Sequence, residues 1–409
     1  MALIVAKFGG TSVADVTKIK GAAAKIAREV ERGHKVAVVV SAMAGVTNQL
    51  VEYCNQVDKL HDTREYDVVV ASGEQITSGL MAMTLQKMGV KARSWQGWQL
   101  PIVTNDMHSK ARIAEIKTAE LLKSLNAGEV AVIPGFQGMT EDGRVTTLGR
   151  GGSDTSAVAV AAALDAERCD IYTDVDGVYT TDPRIVPHAK KIDKISYEEM
   201  LELASVGAKV LHIRSVEIAM KKDIPIQVLS SFEGHVGSDL PGTLVTREED
   251  IVEQQLVTGV AYTRDEAKVT LLGVPDVPGV AAKIFSPLAD AAVNVDMIVQ
   301  NVSPDGKYTD MTFTVPQADL PRAIQTIKAL KELKYRELQT SDTVAKVSVV
   351  GIGMKSHSGV ANTMFKTLAE KSINIQVIST SEIKISVLIE QDYVELAVRS
   401  LHAAYGLEG

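Results

Sequence analysis

Three clusters of residues carry the chemistry that this chain could perform. Lys7-Phe8-Gly9-Gly10-Thr11-Ser12 follows an apolar run and precedes a long helix-like segment. Its glycines let backbone N–H groups point at phosphate oxygens, and Lys7 adds a point charge able to offset negative charge on a transferring phosphoryl group. Taken alone, a Gly-Gly turn is ordinary connecting structure. The second cluster, Gly149-Arg150-Gly151-Gly152-Ser153-Asp154-Thr155-Ser156, stands directly before the apolar stretch Ala157–Leu164. Asp154 or Ser153 can cap the helix that follows, and the free N–H groups of its first turn attract an anion. Capping does not account for Arg150 among three glycines; an arginine there offers a bidentate grip on a carboxylate, and the glycines allow close backbone approach. The third cluster runs from Thr173-Asp174-Val175-Asp176-Gly177 through Val178-Tyr179-Thr180-Thr181-Asp182-Pro183-Arg184. It opens like a calcium loop, but the position six after Gly177, where a glutamate is needed, holds Pro183, so calcium is not expected. The Walker pattern and the His-Arg-Asp and Asp-Phe-Gly triplets are absent from the sequence.

These clusters need a scaffold that delivers them to one place. Up to about residue 245, β-branched runs alternate with longer Ala-rich amphipathic segments, the pattern of an α/β domain with a mostly parallel, helix-covered sheet. Strands are expected at Leu3–Phe8, Lys35–Ser41, Val130–Pro134, Cys169–Thr173 and Ile226–Ser230. Helices are expected near Val16–Arg32, Glu74–Lys87, Ile113–Ser124, Asp154–Leu164, Tyr197–Ala204 and Lys209–Lys222. Open sheets of this kind bind ligands at the carboxyl ends of their strands, where the first and third clusters fall.

From residue 265 a different pattern repeats at an offset of 80 residues. Gly273 matches Gly353, Gly279-Val280-Ala281 matches Gly359-Val360-Ala361, and Phe285, Leu288-Ala289 and Asn294 match Phe365, Leu368-Ala369 and Asn374. Each copy reads as a βαββαβ unit. The expected division is therefore a catalytic domain over 1–245, a linker over 246–264 that could lend a strand to the second repeat, and repeats over 265–342 and 343–409.

Composition narrows the function further. A net charge of −8 with 4% aromatics suits neither counterion displacement from nucleic acid nor a base-stacking surface. Cys54 and Cys169 stand far apart without metal-ligand spacing, so neither a disulfide framework nor a thiolate metal site is expected. The apolar N-terminus stops at Lys7, too soon for a signal-peptide core, and no apolar run approaches the roughly 18 residues of a bilayer span. A cytoplasmic protein with no membrane partner is expected.

The ordered motifs resemble those of aspartate kinases: Lys7-Phe8-Gly9-Gly10-Thr11-Ser12-Val13, Ser72-Gly73-Glu74, the Gly149–Ala157 loop, the Thr173–Arg184 loop, and Gly207-Ala208-Lys209-Val210-Leu211. The repeat resembles the tandem ACT domains of that family, so the likeness spans nearly the whole chain. The third loop is shared in related form by other amino-acid kinases, which leaves kinases of glutamate, acetylglutamate or a nucleotide, and a non-catalytic amino-acid sensor, as the competing readings. The opening motif and the ACT pair favour aspartate.

The resemblance implies an amino-acid-kinase three-layer αβα sandwich followed by two ferredoxin-like ACT domains. It implies that Lys7, Phe8, Gly9 and Gly10 hold the γ-phosphoryl group of ATP, with Ser41 near the phosphates and Mg2+ bound through them, and with Lys7 and Asp154 as catalytic residues. Thr47, Glu74, Arg150, Gly151, Gly152, Ser153 and Asp154 hold aspartate, Arg150 on the α-carboxylate and Glu74 on the α-ammonium. Thr173, Asp174, Tyr179, Arg184, Lys209 and Val210 bind the nucleotide. Because the attacking carboxylate is already ionised at neutral pH, none of the eight histidines is needed as a base. His212 reads as a satisfied core residue on an apolar helix. ACT modules pair and bind amino acids near the turn after their first strand. This places lysine or threonine against Asp276, Gly279, Ala281, Gln300, Asn301 and Ser303 in the first copy, and Gly359, Val360, Asn374, Ile375, Ser381 and Glu382 in the second. Ala361 lacks the hydroxyl that some relatives carry there. A homo-oligomer built through the ACT domains, with or without a shorter C-terminal subunit, is the expected assembly.

Overall fold

The structure, a computed structural model, describes residues 2–205, 207, 210–251, 256–352, 354 and 357–408. It divides into two compact units. The first holds residues 1–178, 191–204 and 209–253; the second holds 179–190, 205–208 and 254–409. Packing therefore does not separate the chain by a single cut near residue 245.

In the first unit an eight-stranded sheet runs in the order Lys194–Ser196, Thr243–Thr246, Ile226–Ser230, Arg168–Thr173, Leu3–Phe8, Lys35–Val40, Val130–Pro134, Ala92–Ser94. Its six strands from Ile226–Ser230 to Ala92–Ser94 are mutually parallel, and Thr243–Thr246 runs antiparallel to them. The central strands are buried on both sides, which is why they read as unbroken apolar runs rather than alternating ones. On one face, Ala6, Phe8, Val36, Val38, Val40, Val130 and Val132 pack against Ile19, Ala22, Ala23 and Ile26 of the helix Val16–Glu31 and against Met81 and Leu85 of the helix Ser72–Lys87. Their 3- and 4-residue spacing gives each helix its apolar stripe. Asp15 starts the first of these helices by accepting the Lys18 N–H at 2.8 Å. The helix Gly152–Ala163 packs on the same central strands.

Three expectations are corrected. Ile113–Ile116 is a strand, paired antiparallel with Ile102–Thr104, and the helix starts only at Ala119; the isoleucines gain a cross-strand partner that a helix could not offer. The helices Val46–Val57 and Thr63–Val70 were not expected, since one has a single buried residue and the other two, leaving weak periodicity to read. The last helix of this unit starts at Ile213, with His212 as its N-cap.

The second unit is built on one six-stranded antiparallel sheet. Its two long central strands, Gly259–Pro275 and Glu337–Val350, pair with each other and are each shared by both repeats. Gly259–Thr263 pairs with Lys346–Val350 of the second repeat, and Ala267–Pro275 pairs with Tyr308–Val315 of the first. The segment Tyr179–Lys190 belongs to this unit: Ile185 and Val186 join the core of the second repeat. Around them the Val260 N–H donates to the Thr180 carbonyl at 2.7 Å, Tyr262 Oη donates to Asp182 at 3.2 Å, and Arg399 Nε donates to the Ile185 carbonyl at 3.0 Å. Thr180 Oγ1 lies 2.9 Å from His402 Nε2.

Candidate active site

Because the central strands run parallel, the turns after Phe8, Val40, Pro134 and Thr173 emerge at one edge of the sheet. There a cavity of about 330 Å³ is lined by the turns after Phe8, Val40 and Pro134 together with Glu74 and the Gly149–Asp154 loop; among its residues are Lys7, Gly10, Ser41, Thr47, Glu74, Arg150, Gly151, Gly152, Ser153 and Asp154. These are the expected phosphate and amino-acid residues, drawn from positions up to 147 residues apart in sequence.

Lys7 projects from the first strand toward the helix Gly152–Ala163, and its Nζ lies 2.5 Å from Asp154 Oδ1. The approach is an ion pair off the hydrogen-bonding direction, so Oδ1 is otherwise without a partner. Gly9 caps the short 3-10 turn Gly10–Val13, its N–H donating to the Tyr172 carbonyl at 3.2 Å. Phe8 stacks on Tyr172 with ring centroids 4.6 Å apart, and Ser12 Oγ meets Ser231 Oγ at 2.5 Å. A side chain at Gly10 would press on the Ala42 carbonyl, which fits the need for bare backbone here. Phe8 and Gly9 support the turn from behind and do not line the cavity.

Glu74 sits in the first turn of its helix and is 3% exposed. Oε1 accepts the Ala42 N–H at 3.1 Å, whereas the buried Oε2 has no hydrogen-bond partner among the described residues. Burial pushes its carboxyl from 4.5 up to about 7, against the lowering effect of the Ala42 and Glu74 backbone N–H groups. A buried carboxylate with one open oxygen beside a cavity suits an ammonium ligand.

Arg150 is exposed at the cavity mouth, and its guanidinium enters no ion pair or hydrogen bond among the described residues. Its loop depends on left-handed glycines, Gly149 at φ 77° and Gly151 at φ 70°. A methyl group at Gly151 would overlap the His212 ring. His212 is thus no satisfied core residue on a helix: it is half-buried, its Nδ1 has no partner among the described residues, and burial chiefly lowers its pKa.

Of the expected nucleotide residues, Thr173 ends its strand, its hydroxyl donating to Asp174 at 3.2 Å. Tyr179 and Arg184 lie in the second unit, where Arg184 is 89% exposed and pairs with Asp182 at 2.8 Å. Val210 sits in a turn, and Lys209 lies outside the described residues. In the first repeat Gly279, at φ 89°, caps the helix Val280–Asp290, and Gln300 Nε2 donates to Asp276 at 3.3 Å. Ala281 lies in that helix, Asn301 in the strand Asp296–Val302, and Ser303 Oγ donates to Asp305. In the second repeat Gly359 is inside the first turn of the helix Ser358–Glu370 rather than before it, and Val360 is core, its carbonyl accepting from Tyr405 Oη at 2.8 Å. Asn374 and Ile375 precede the strand Val377–Thr380, and Ser381 and Glu382 follow it. Sequence reasoning missed Ala42, Met43 and Phe136, which line the cavity; only the Pro134-Gly135 turn signal marks the last.

Known proteins bear on this arrangement. Residues 2–230 match the amino acid kinase family, and residues 268–332 and 347–405 each match an ACT domain. The aspartokinase of Pseudomonas aeruginosa is 54% identical and the aspartate kinase of Stutzerimonas stutzeri 53%, each match covering 100% of this chain and 98% of the relative. E. coli aspartokinase III, solved with aspartate and ADP, superposes with a TM-score of 0.83 at 28% identity, covering 98% of this chain and 99% of that one. The same protein has also been solved with lysine and aspartate, and there the TM-score is 0.75. With a mostly parallel kinase sheet, two ACT repeats and about half its residues shared along the full length, this chain belongs to the aspartate kinase family, the ATP-dependent kinases that phosphorylate aspartate.

Proposed function

We propose that the cavity binds L-aspartate beside ATP and passes the γ-phosphoryl group to the side-chain carboxylate, giving 4-phospho-L-aspartate and ADP. The observation that carries this reading is the presence, in one cavity, of a buried carboxylate with an open oxygen, an unpaired arginine and a lysine. Glu74 takes the α-ammonium and Arg150 the α-carboxylate, which leaves the side-chain carboxylate to face Lys7. Thr47 and the Gly151-Gly152-Ser153 backbone close round the amino acid. No general base is required, because the nucleophile is ionised at neutral pH. The work of the protein is positioning and charge compensation. Lys7, steered by Asp154, meets the charge on the phosphoryl oxygens, while the Gly9-Gly10 turn and Ser41 contact the phosphates. Thr173, Asp174, Tyr179, Arg184, Lys209 and Val210 serve the nucleotide.

Magnesium fits as a companion of the nucleotide: Asp154 meets Lys7 within the cavity, and the described residues gather no set of three His, Cys, Asp or Glu side chains able to hold a metal unaided. Bound through the phosphates, it neutralises their charge.

The reaction would open the route to lysine, threonine, methionine and diaminopimelate, with lysine, threonine or both acting back on the ACT repeats at the positions given above. Lysine bound to E. coli aspartokinase III supports an amino-acid effector. A cytoplasmic location and an oligomer formed through the ACT repeats, with or without a shorter C-terminal subunit, complete the proposal. No described helix is long and apolar enough to cross a membrane. A coupled ADP-release assay with aspartate, glutamate and N-acetylglutamate, each with and without lysine plus threonine, tests it. Turnover on aspartate alone is expected, reduced by the effectors; preference for either other acceptor would overturn it.

A further inference from the structure

We propose that Asp67, acting with Arg214, is the positioning element that sets the Arg150 loop for its amino-acid substrate. The inference rests on the reading of Arg150 as the α-carboxylate anchor. Three glycines surround Arg150, two of them left-handed, and such a segment has more conformational freedom to lose than any other composition. The guanidinium has no partner among the described residues. The position of the loop must therefore be imposed by its flanks.

Asp67 lies on the helix Thr63–Val70 with 0% exposure, and it does not line the cavity. Its two oxygens gather donors from two other segments. Thr147 gives its Oγ1 hydroxyl at 2.6 Å and its N–H at 3.1 Å, the Ser109 N–H reaches both oxygens at 3.0 and 3.1 Å, and His108 Nδ1 stands 2.8 Å from Oδ2. Thr147 is three residues before Arg150. Ser109, held in a left-handed conformation at φ 64°, places its carbonyl 3.0 Å from where a Gly149 side chain would begin, so the Ser109 turn is the floor beneath Gly149. Arg214 Nη1 donates to the Leu148 carbonyl at 2.7 Å and Nη2 to the Ala111 carbonyl at 3.1 Å. The Leu148 N–H is taken by the Phe136 carbonyl at 2.8 Å. The Thr146–Thr147 peptide is thus held by a buried anion and the Leu148 carbonyl by a half-buried cation. A fully buried carboxylate is a costly way to hold two loops together if stability alone is served, because an apolar residue avoids the desolvation. It is an effective way to fix direction, since charge-assisted hydrogen bonds are short and strong.

Steady-state kinetics of the full chain test this, with aspartate and ATP varied in turn and thermal unfolding recorded for each variant. Asp67→Asn turns an amide N–H toward donors and should raise the aspartate KM about tenfold or more, as expected for a displaced substrate anchor. The ATP KM should stay within about twofold, because the anchor for the other substrate is untouched. Thr147→Val removes one hydroxyl at equal volume and should raise the aspartate KM about threefold; Thr147→Ser restores the hydroxyl and should restore the KM. The threonine pair decides the matter if Asp67→Asn fails to fold. If the melting temperature falls while both KM values hold, or both rise together, Asp67 only stabilises the fold and the proposal is overturned. Arg150→Ala separates the premises: an unchanged aspartate KM in that variant removes the anchor itself, whereas a raised one beside a normal Asp67→Asn removes only the positioning role.

Discussion

Glu74→Gln should stabilise the ligand-free protein and at the same time weaken its hold on aspartate. Glu74 is buried, and its carboxyl is raised from 4.5 to about 7 because little replaces the water it has lost. That difference corresponds to about 3 kcal/mol. The sign follows from proton linkage: the folded state holds the proton more tightly than the unfolded chain, so the associated stability is fully present below pH 4.5 and is lost as the pH rises through about 7. Glutamine keeps an oxygen for the Ala42 N–H and carries no charge at any pH, so at pH 8 the variant recovers much of the loss. For a domain of this size the melting temperature of the ligand-free enzyme should rise by about 5 °C at pH 8, and the difference should vanish near pH 4.5. Binding has the opposite sign. If only ionised Glu74 accepts the substrate ammonium, the competent fraction falls from about nine-tenths at pH 8 to about one-tenth at pH 6, and the aspartate KM of the unaltered enzyme rises about tenfold. In Glu74→Gln the KM is about a hundredfold higher at pH 8, and its dependence on pH between 6 and 8 is lost. Coupled ADP-release kinetics and scanning fluorimetry over that range read both effects. A lower melting temperature at pH 8 with an unchanged KM profile would refute the reasoning, since Glu74 would then be a structural acceptor for Ala42 alone.

Lys7→Ala should lower kcat at least a hundredfold, with a smaller change in the aspartate KM, because its charge matters most as the phosphoryl group transfers; near-normal turnover in single-turnover assays would remove Lys7 from the chemistry. Gly151→Ala should cost about 1 to 3 kcal/mol in denaturant unfolding and raise the aspartate KM, since the left-handed backbone and the His212 ring leave no room for a methyl group. A variant as stable and active as the parent would show that the loop has another conformation in solution. His402→Ala removes one partner of the Thr180 hydroxyl and should loosen Tyr179–Lys190, a segment that carries proposed nucleotide residues while packing in the ACT unit. Titration with lysine and threonine should then show inhibition weakened about threefold or more; an unchanged inhibition curve would separate this segment from control.

Much of the candidate site's lining was legible because phosphate and carboxylate binding need residues that are neighbours along the chain. Lys7 with Gly9-Gly10, and Arg150 with its glycines, are local devices in which backbone N–H groups and one cation must come from a single turn. Unbroken apolar runs likewise announce the strands that carry those turns to one sheet edge. Asp67, Ala42 and Phe136 carried no such mark. Asp67 is one acidic residue in a short helix, and its importance comes from donors 41 and 80 residues away.

The composition of the three loops, the strand-and-helix alternation and the 80-residue repeat already point to phosphate-handling loops on a parallel sheet, followed along the chain by a duplicated βαββαβ unit, because these patterns are carried by local residue types. Which oxygen of Glu74 stays open, why its carboxyl titrates near neutrality, how two long strands are each shared by both repeats, and why Tyr179–Lys190 packs in the second unit are matters of burial and long-range pairing. Desolvation and shared strands exist only once distant segments have excluded water between them, so no local pattern of residue types could encode them.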